Sequence, residues 1–160
     1  MKKTITTILI LITFLAPNIC FSQDLDENIP AINTPQDLVS WLSKEFNYQW
    51  EIVDDWKTPQ ETINSKKGDC EDFAILASVA LSGMGISNDI LVIKFKDLNL
   101  THCICVWKDK DGTYKFISNR SLQNTGKYEI KAAIEKFYPD WEKITFTDQD
   151  KKYAKVIRRL

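Results

Sequence analysis

Histidine is almost missing from this chain. One, His102, stands among 160 residues. Any chemistry that needs an imidazole must run through that position. An excess of basic charge is missing too: 21 Lys and Arg stand against 22 Asp and Glu, which argues against a nucleic-acid partner. After the first residues no apolar run approaches the length of a membrane span, so a membrane-spanning chain is not expected. Internal repeats and low-complexity tracts are also lacking, and composition is otherwise ordinary for a globular protein.

The N-terminus differs from the rest. Lys2 and Lys3 precede an apolar run from Ile5 to Ala16, and Cys20 and Ser22 are small residues three and one before an expected cut. That pattern predicts a secretory signal peptide over residues 1–22, with the mature chain starting at Gln23. A lipid-acceptor role for Cys20 is disfavoured by Ile19, where a small residue is wanted. The expectation is an exported protein, periplasmic or secreted. Removing the leader takes away two lysines and no acid, so the net charge moves from −1 to −3. Residues 23–160 suffice for a single domain with one core.

Three cysteines remain: Cys70, Cys103 and Cys105. An exported protein that used cysteine only for cross-links would carry an even number, so at least one thiol is expected to be free.

Hydrophobic spacing outlines an α+β fold. Thr34-Pro35-Gln36-Asp37 reads as a helix start, and Leu38, Trp41, Leu42 and Phe46 follow at helical spacing, predicting a helix over 35–46. Pro59 to Thr62 suggests a short helical turn. From Phe73 to Leu81 only Ser78 is polar, so a helix there must be buried on most sides, and Gly83 and Gly85 end it. Ile90 to Phe95, Thr101 to Trp107 and Thr113 to Ser118 read as strands, the last two joined by a turn through Asp109 to Gly112. Tyr128 to Tyr138 predicts an amphipathic helix, Lys143 to Thr147 a strand, and Tyr153 to Leu160 a closing helix or strand. Together these predict helices on one side of an antiparallel sheet.

The chemistry is expected at Gly68-Asp69-Cys70-Glu71-Asp72-Phe73. A cysteine at a helix start meets unpaired backbone N–H groups that favour thiolate. A thiol nucleophile also needs a base, and a third group to orient that base. His102 is the base by elimination. Alternation along its strand puts His102, Ile104 and Val106 on one face and Cys103, Cys105 and Trp107 on the other, which also argues against a zinc site. A four-residue loop pairs His102 with Asn119, and a two-residue turn leaves Asn119 on the same face. An odd loop would select Ser118 instead.

Trp56-Lys57-Thr58-Pro59-Gln60-Glu61-Thr62, Gly68-Asp69-Cys70-Glu71-Asp72-Phe73-Ala74, Gly85 and a strand-borne His102 together resemble the transglutaminase-like superfamily. The resemblance is closest to the bacterial transglutaminase-like cysteine proteinases. It implies a papain-like core, with a nucleophile helix packed on an antiparallel sheet, Cys70 as nucleophile and His102 as base. The family usually shows aspartate at the third position, often as Leu-Asp-Asn. Here Ile117-Ser118-Asn119 stands there, which puts Ser118 at the acid's place, while register favours Asn119.

Three carboxylates beside the thiol would raise its pKa. Lys66 and Lys67, or a hard cation such as Ca²⁺, would offset Asp69, Glu71 and Asp72. The resemblance implies calcium at those three residues, although the cysteine chemistry itself requires no cofactor. The expected activity is an exported cysteine hydrolase acting on a protein or peptide substrate, with envelope proteins the candidates. The alternatives are acyl transfer from the same thioester and a binding module without catalysis.

Overall fold

The computed structural model describes residues 30–51, 55–96, 100–147 and 155–158. The expected leader and the start at Gln23 lie outside them. The elements run α1 (Pro35–Glu45), β1 (Asn47–Tyr48), α2 (Pro59–Ser65), β2 (Lys67–Gly68), α3 (Cys70–Gly83), β3 (Asn88–Phe95), β4 (Thr101–Lys108), β5 (Tyr114–Ser118), β6 (Ser121–Asn124), α4 (Ile130–Phe137), β7 (Trp141–Thr147) and β8 (Lys155–Arg158).

Two helices start by the same device. Thr34 Oγ1 accepts from the Asp37 N–H while Asp37 Oδ2 accepts from the Thr34 N–H, and Thr58 and Glu61 repeat the exchange at α2. Each threonine is followed by a proline whose missing N–H is no loss at the first helical position. The α2 helix ends at Lys66 in the left-handed region, φ 54°. The chain then enters β2, which pairs in parallel with β1, Tyr48 opposite Gly68.

Six strands form an antiparallel sheet in the order β6-β5-β4-β3-β7-β8. Alternation makes both faces of its centre apolar. Ile90, Cys103, Cys105, Trp107 and Ile117 pack with α1 and α3 on one face. Leu91, Ile93, Ile104, Val106, Phe116 and Ile144 form a second cluster on the other. The expectation of helices on one side is therefore corrected: α4 covers the second face through Ile134, with Ile130 and Phe137 beside it. An uncovered second face would expose six buried apolar side chains, each worth roughly 1.5–3 kcal/mol when buried. The closing segment, expected as helix or strand, places its described part in β8 beside β7.

The turn between β4 and β5 fixes the site. Asp109 N–H donates to Thr113 O and Gly112 N–H to Asp109 O, both at 2.8 Å. Asp111 Oδ1 also accepts from the Thr113 N–H and hydroxyl, and Gly112 takes φ 83°. Lys108 pairs with Tyr114, so the connection has an odd number of residues, and Ile104 pairs with Ser118. Both even-loop registers of the sequence reading are thereby replaced. Ser118, the last residue of β5, lies on the His102 face, and Asn119 begins the following turn.

Candidate active site

The Gly-Asp-Cys-Glu-Asp run folds around Asp72. A Cβ at Gly68 would lie 2.7 Å from Asp72 Cβ and 2.9 Å from its Oδ2, so only glycine lets β2 pass this close. The Asp72 side chain is 0% exposed. Its Oδ1 accepts from the Lys57 N–H at 2.9 Å, and its Oδ2 from Lys57 Nζ at 2.8 Å and from the Asp69 N–H at 3.3 Å. That carboxylate ties the segment before α2 to the first turn of α3, and so sets Cys70 at the helix start.

Cys70 is half-buried, and its Sγ donates to Glu71 Oε2 at 3.2 Å. Burial pushes the thiol up to about 12. A hydrogen bond from the Cys103 backbone opposes this, while Glu71 and Asp69 add to it. Desolvation and the neighbouring acids thus oppose the thiolate expected at the helix start. Burial also raises Glu71 to about 7 and lifts Asp69. Asp69 and Glu71 also act on one another's titration.

His102 projects from the opposite face of β4. Its Nε2 lies 2.8 Å from Ser118 Oγ, and the Tyr138 hydroxyl donates to the same Oγ at 3.0 Å. The His102 and Tyr138 rings lie 5.5 Å apart. Burial lowers the imidazole to about 4. Asn119, expected to orient His102, adopts φ 51° and leaves a buried Oδ1 without a partner. Its place at the start of the turn takes it out of the strand face that His102 occupies.

Cys70 and His102 line one cleft of about 970 Å³. It begins where β4 starts, at Leu100 and Thr101, and continues past Val92, Thr145 and Thr147. Among the described residues Cys70 and His102 make no hydrogen bond with each other. Three exposed large apolar side chains, Tyr48, Trp50 and Leu100, line the same cleft. Cys103 and Cys105 are buried free thiols in the α3-side core, as core filling requires.

A family description of the transglutaminase-like domain matches residues 1–138. The chain belongs to the transglutaminase-like family. Among solved structures, this transglutaminase-like chain is similar to calcium-bound LapG of Legionella pneumophila, with 21% identity over 71% of this chain and 62% of that one and a TM-score of 0.53. It is also similar to the EGTA-treated form of that protein, with 20% identity over 75% and 68% of the two chains and a TM-score of 0.51. The chain thus spans less than two thirds of the first of these. No curated protein matches it.

The calcium-bound relative makes the acidic helix start of this transglutaminase-like chain worth testing for fit. Ca²⁺ takes about six to eight oxygen ligands. Of the three residues expected to supply them, Asp72 is held by the Lys57 ammonium, and Glu71 accepts from the Cys70 thiol. No group of three metal-ligating side chains forms among the described residues. The expected set of Asp69, Glu71 and Asp72 does not fit the ion as it stands. Nor do Lys66 and Lys67 act as the counter-charge: Lys66 Nζ lies over the Trp41 and Phe46 rings, and Lys67 is exposed. Lys57 and Tyr138 took no part in the sequence reading of charge and base. Lys57 stands thirteen residues before Cys70 and Tyr138 follows α4, and neither spacing carries a local signal.

Proposed function

We propose that the chain is an exported cysteine hydrolase of the transglutaminase-like class that cleaves amide bonds in a protein or peptide. The observation that carries the reading is the pairing, in one cleft, of a cysteine at a helix start with a histidine whose Nε2 is already held by Ser118. That bond leaves Nδ1 as the nitrogen to receive the thiol proton. Cys70 Sγ attacks the carbonyl carbon, His102 takes the proton and returns it to the departing amine, and water then releases the acyl group from the thioester. Because thiol and imidazole both rest neutral, the proton leaves Sγ as the C–S bond forms. A preformed ion pair is not part of the mechanism. Ser118 takes the orienting place given to Asn119 by register, and no cofactor enters these steps.

The exposed rim of Tyr48, Trp50 and Leu100 supports a protein or peptide substrate, since apolar side chains around a cleft hold an extended segment by burial. Among the described residues no helix is long and apolar enough to cross a membrane. Export rests on the sequence of residues 1–22, and N-terminal sequencing of the secreted chain tests it, with Gln23 the expected first residue.

A second reading, a binding module without catalysis, is favoured by the absence, among the described residues, of a carboxylate on His102. One experiment separates the two. The purified chain and its Cys70→Ala variant are incubated with envelope proteins and the products searched by mass spectrometry. New termini that depend on Cys70 support the hydrolase, isopeptide links support acyl transfer, and retention of a partner without either supports the binding module.

A further inference from the structure

The acidic helix start contains its own cation. Lys57 Nζ bridges two carboxylates: it is 2.8 Å from Asp72 Oδ2 and is also ion-paired with Glu51. The Lys57 peptide N–H donates to the other oxygen of Asp72. A single carboxylate therefore fastens both the backbone and the side chain of this lysine, unlike a surface lysine that samples many rotamers. Both partners of Nζ are largely withdrawn from water, with side-chain exposures of 0% for Asp72 and 24% for Glu51. Asp69 feels the charges of Asp72, Glu51 and Lys57 together, so the ammonium stands within the same electrostatic cluster as the residues flanking Cys70.

We propose that the Lys57 ammonium is the resident counter-ion of this site, occupying the carboxylates that a divalent cation would need and making the chain independent of Ca²⁺. Calcium-bound and EGTA-treated structures exist for Legionella pneumophila LapG; in this chain Glu51 and Asp72 are instead ion-paired with Lys57 Nζ. A divalent ion would have to displace an ammonium held by a fully buried carboxylate. Without the ammonium, Glu51 and Asp72 would lose the positive charge they share, leaving hard oxygen donors open to such an ion. Lys57 is thus a positioning residue, acting on Cys70 through Asp72. The proposal does not depend on the reaction carried out at Cys70.

The test is thermal unfolding of the full chain in EGTA and in millimolar CaCl₂, with calorimetric titration of CaCl₂ into the wild type. The wild type should show no binding heat and a Tm change under about 1 °C. Lys57→Met should melt lower than wild type in EGTA and recover by roughly 5 °C or more with Ca²⁺. Lys57→Arg, which keeps the charge, should remain indifferent to Ca²⁺. A purely structural role for Lys57 would lower the Tm of Lys57→Met without making it respond to calcium. Saturable Ca²⁺ binding by the wild type overturns the proposal, and so does a Lys57→Met protein that Ca²⁺ fails to stabilise.

Discussion

The two halves of the cleft are built on opposite electrostatic plans. Around Cys70 stand Asp69, Glu71 and Asp72, where negative charge opposes formation of a thiolate. Around His102 stand the hydroxyls of Ser118 and Tyr138, where a carboxylate would have favoured imidazolium. Among the described residues, acid is present where it suppresses charge on the thiol and absent where it would support charge on the imidazole. Both groups therefore rest neutral, with the thiol at about 12 and the imidazole at about 4. A neutral thiol reacts slowly with electrophiles and oxidants, and in the proposed mechanism its proton moves as the substrate carbonyl is attacked.

Removing the nucleophile destroys the comparison outright. Cys70→Ala should lower Cys-dependent cleavage by about 10⁴-fold or more with the thermal unfolding curve little changed, as read by cleavage rate and circular dichroism. On the acid side, Asp72→Ala should cost about 3–5 kcal/mol, because it leaves the Lys57 ammonium without its main partner; urea unfolding measures it. On the base side, Ser118→Asp supplies the missing carboxylate. It should raise the His102 pKa by about 1–3 units, and the single histidine makes its ring proton signals unambiguous by NMR. An unmoved His102 titration would mean that the carboxylate does not reach Nε2.

The two halves also oppose each other in pH dependence. Glu71, raised from 4.5 to about 7, contributes stability that is full below 4.5 and lost as pH rises through about 7. His102, lowered from 6.5 to about 4, contributes stability that is full above 6.5 and lost as pH falls through about 4. Between pH 4.5 and 6.5 the two slopes have opposite signs. Glu71→Gln should leave the His102 slope unopposed, so urea midpoints should fall more steeply on acidification than in the wild type. The smallest effect is expected from Tyr138→Phe. It loses one hydrogen bond to Ser118 worth about 1 kcal/mol, and should lower cleavage by roughly tenfold or less while leaving Cys70 alkylation unchanged.

The parts of the fold legible in the sequence were those with strong local signals. Thr34-Pro35 and Thr58-Pro59 mark helix starts by capping chemistry, and the apolar run after Cys70 marks the buried helix. Alternation placed His102 and Cys103 on opposite faces of β4, as the two clusters confirm. The edge strand β6 was missed because Ser121, Gln123 and Asn124 are polar, and its pairing comes from neighbours rather than from pattern. The choice between Asn119 and Ser118 turned on one residue of loop length, to which the pattern between Asp109 and Thr113 was blind.

Composition and motif alone determined that one cysteine at a helix start and one histidine on a strand were the only candidates for a dyad, because no other imidazole exists in the chain. Local sequence could not decide their protonation. That depended on how deeply tertiary packing buried each group and which neighbours it brought, since desolvation is the largest influence at Cys70 and acts alone at His102. Tertiary structure likewise decided that Lys57, rather than Lys66 or Lys67, would neutralise Asp72. Charge pairing in a folded chain is set by distance through space, and fifteen residues of sequence separation carry no information about a contact of 2.8 Å.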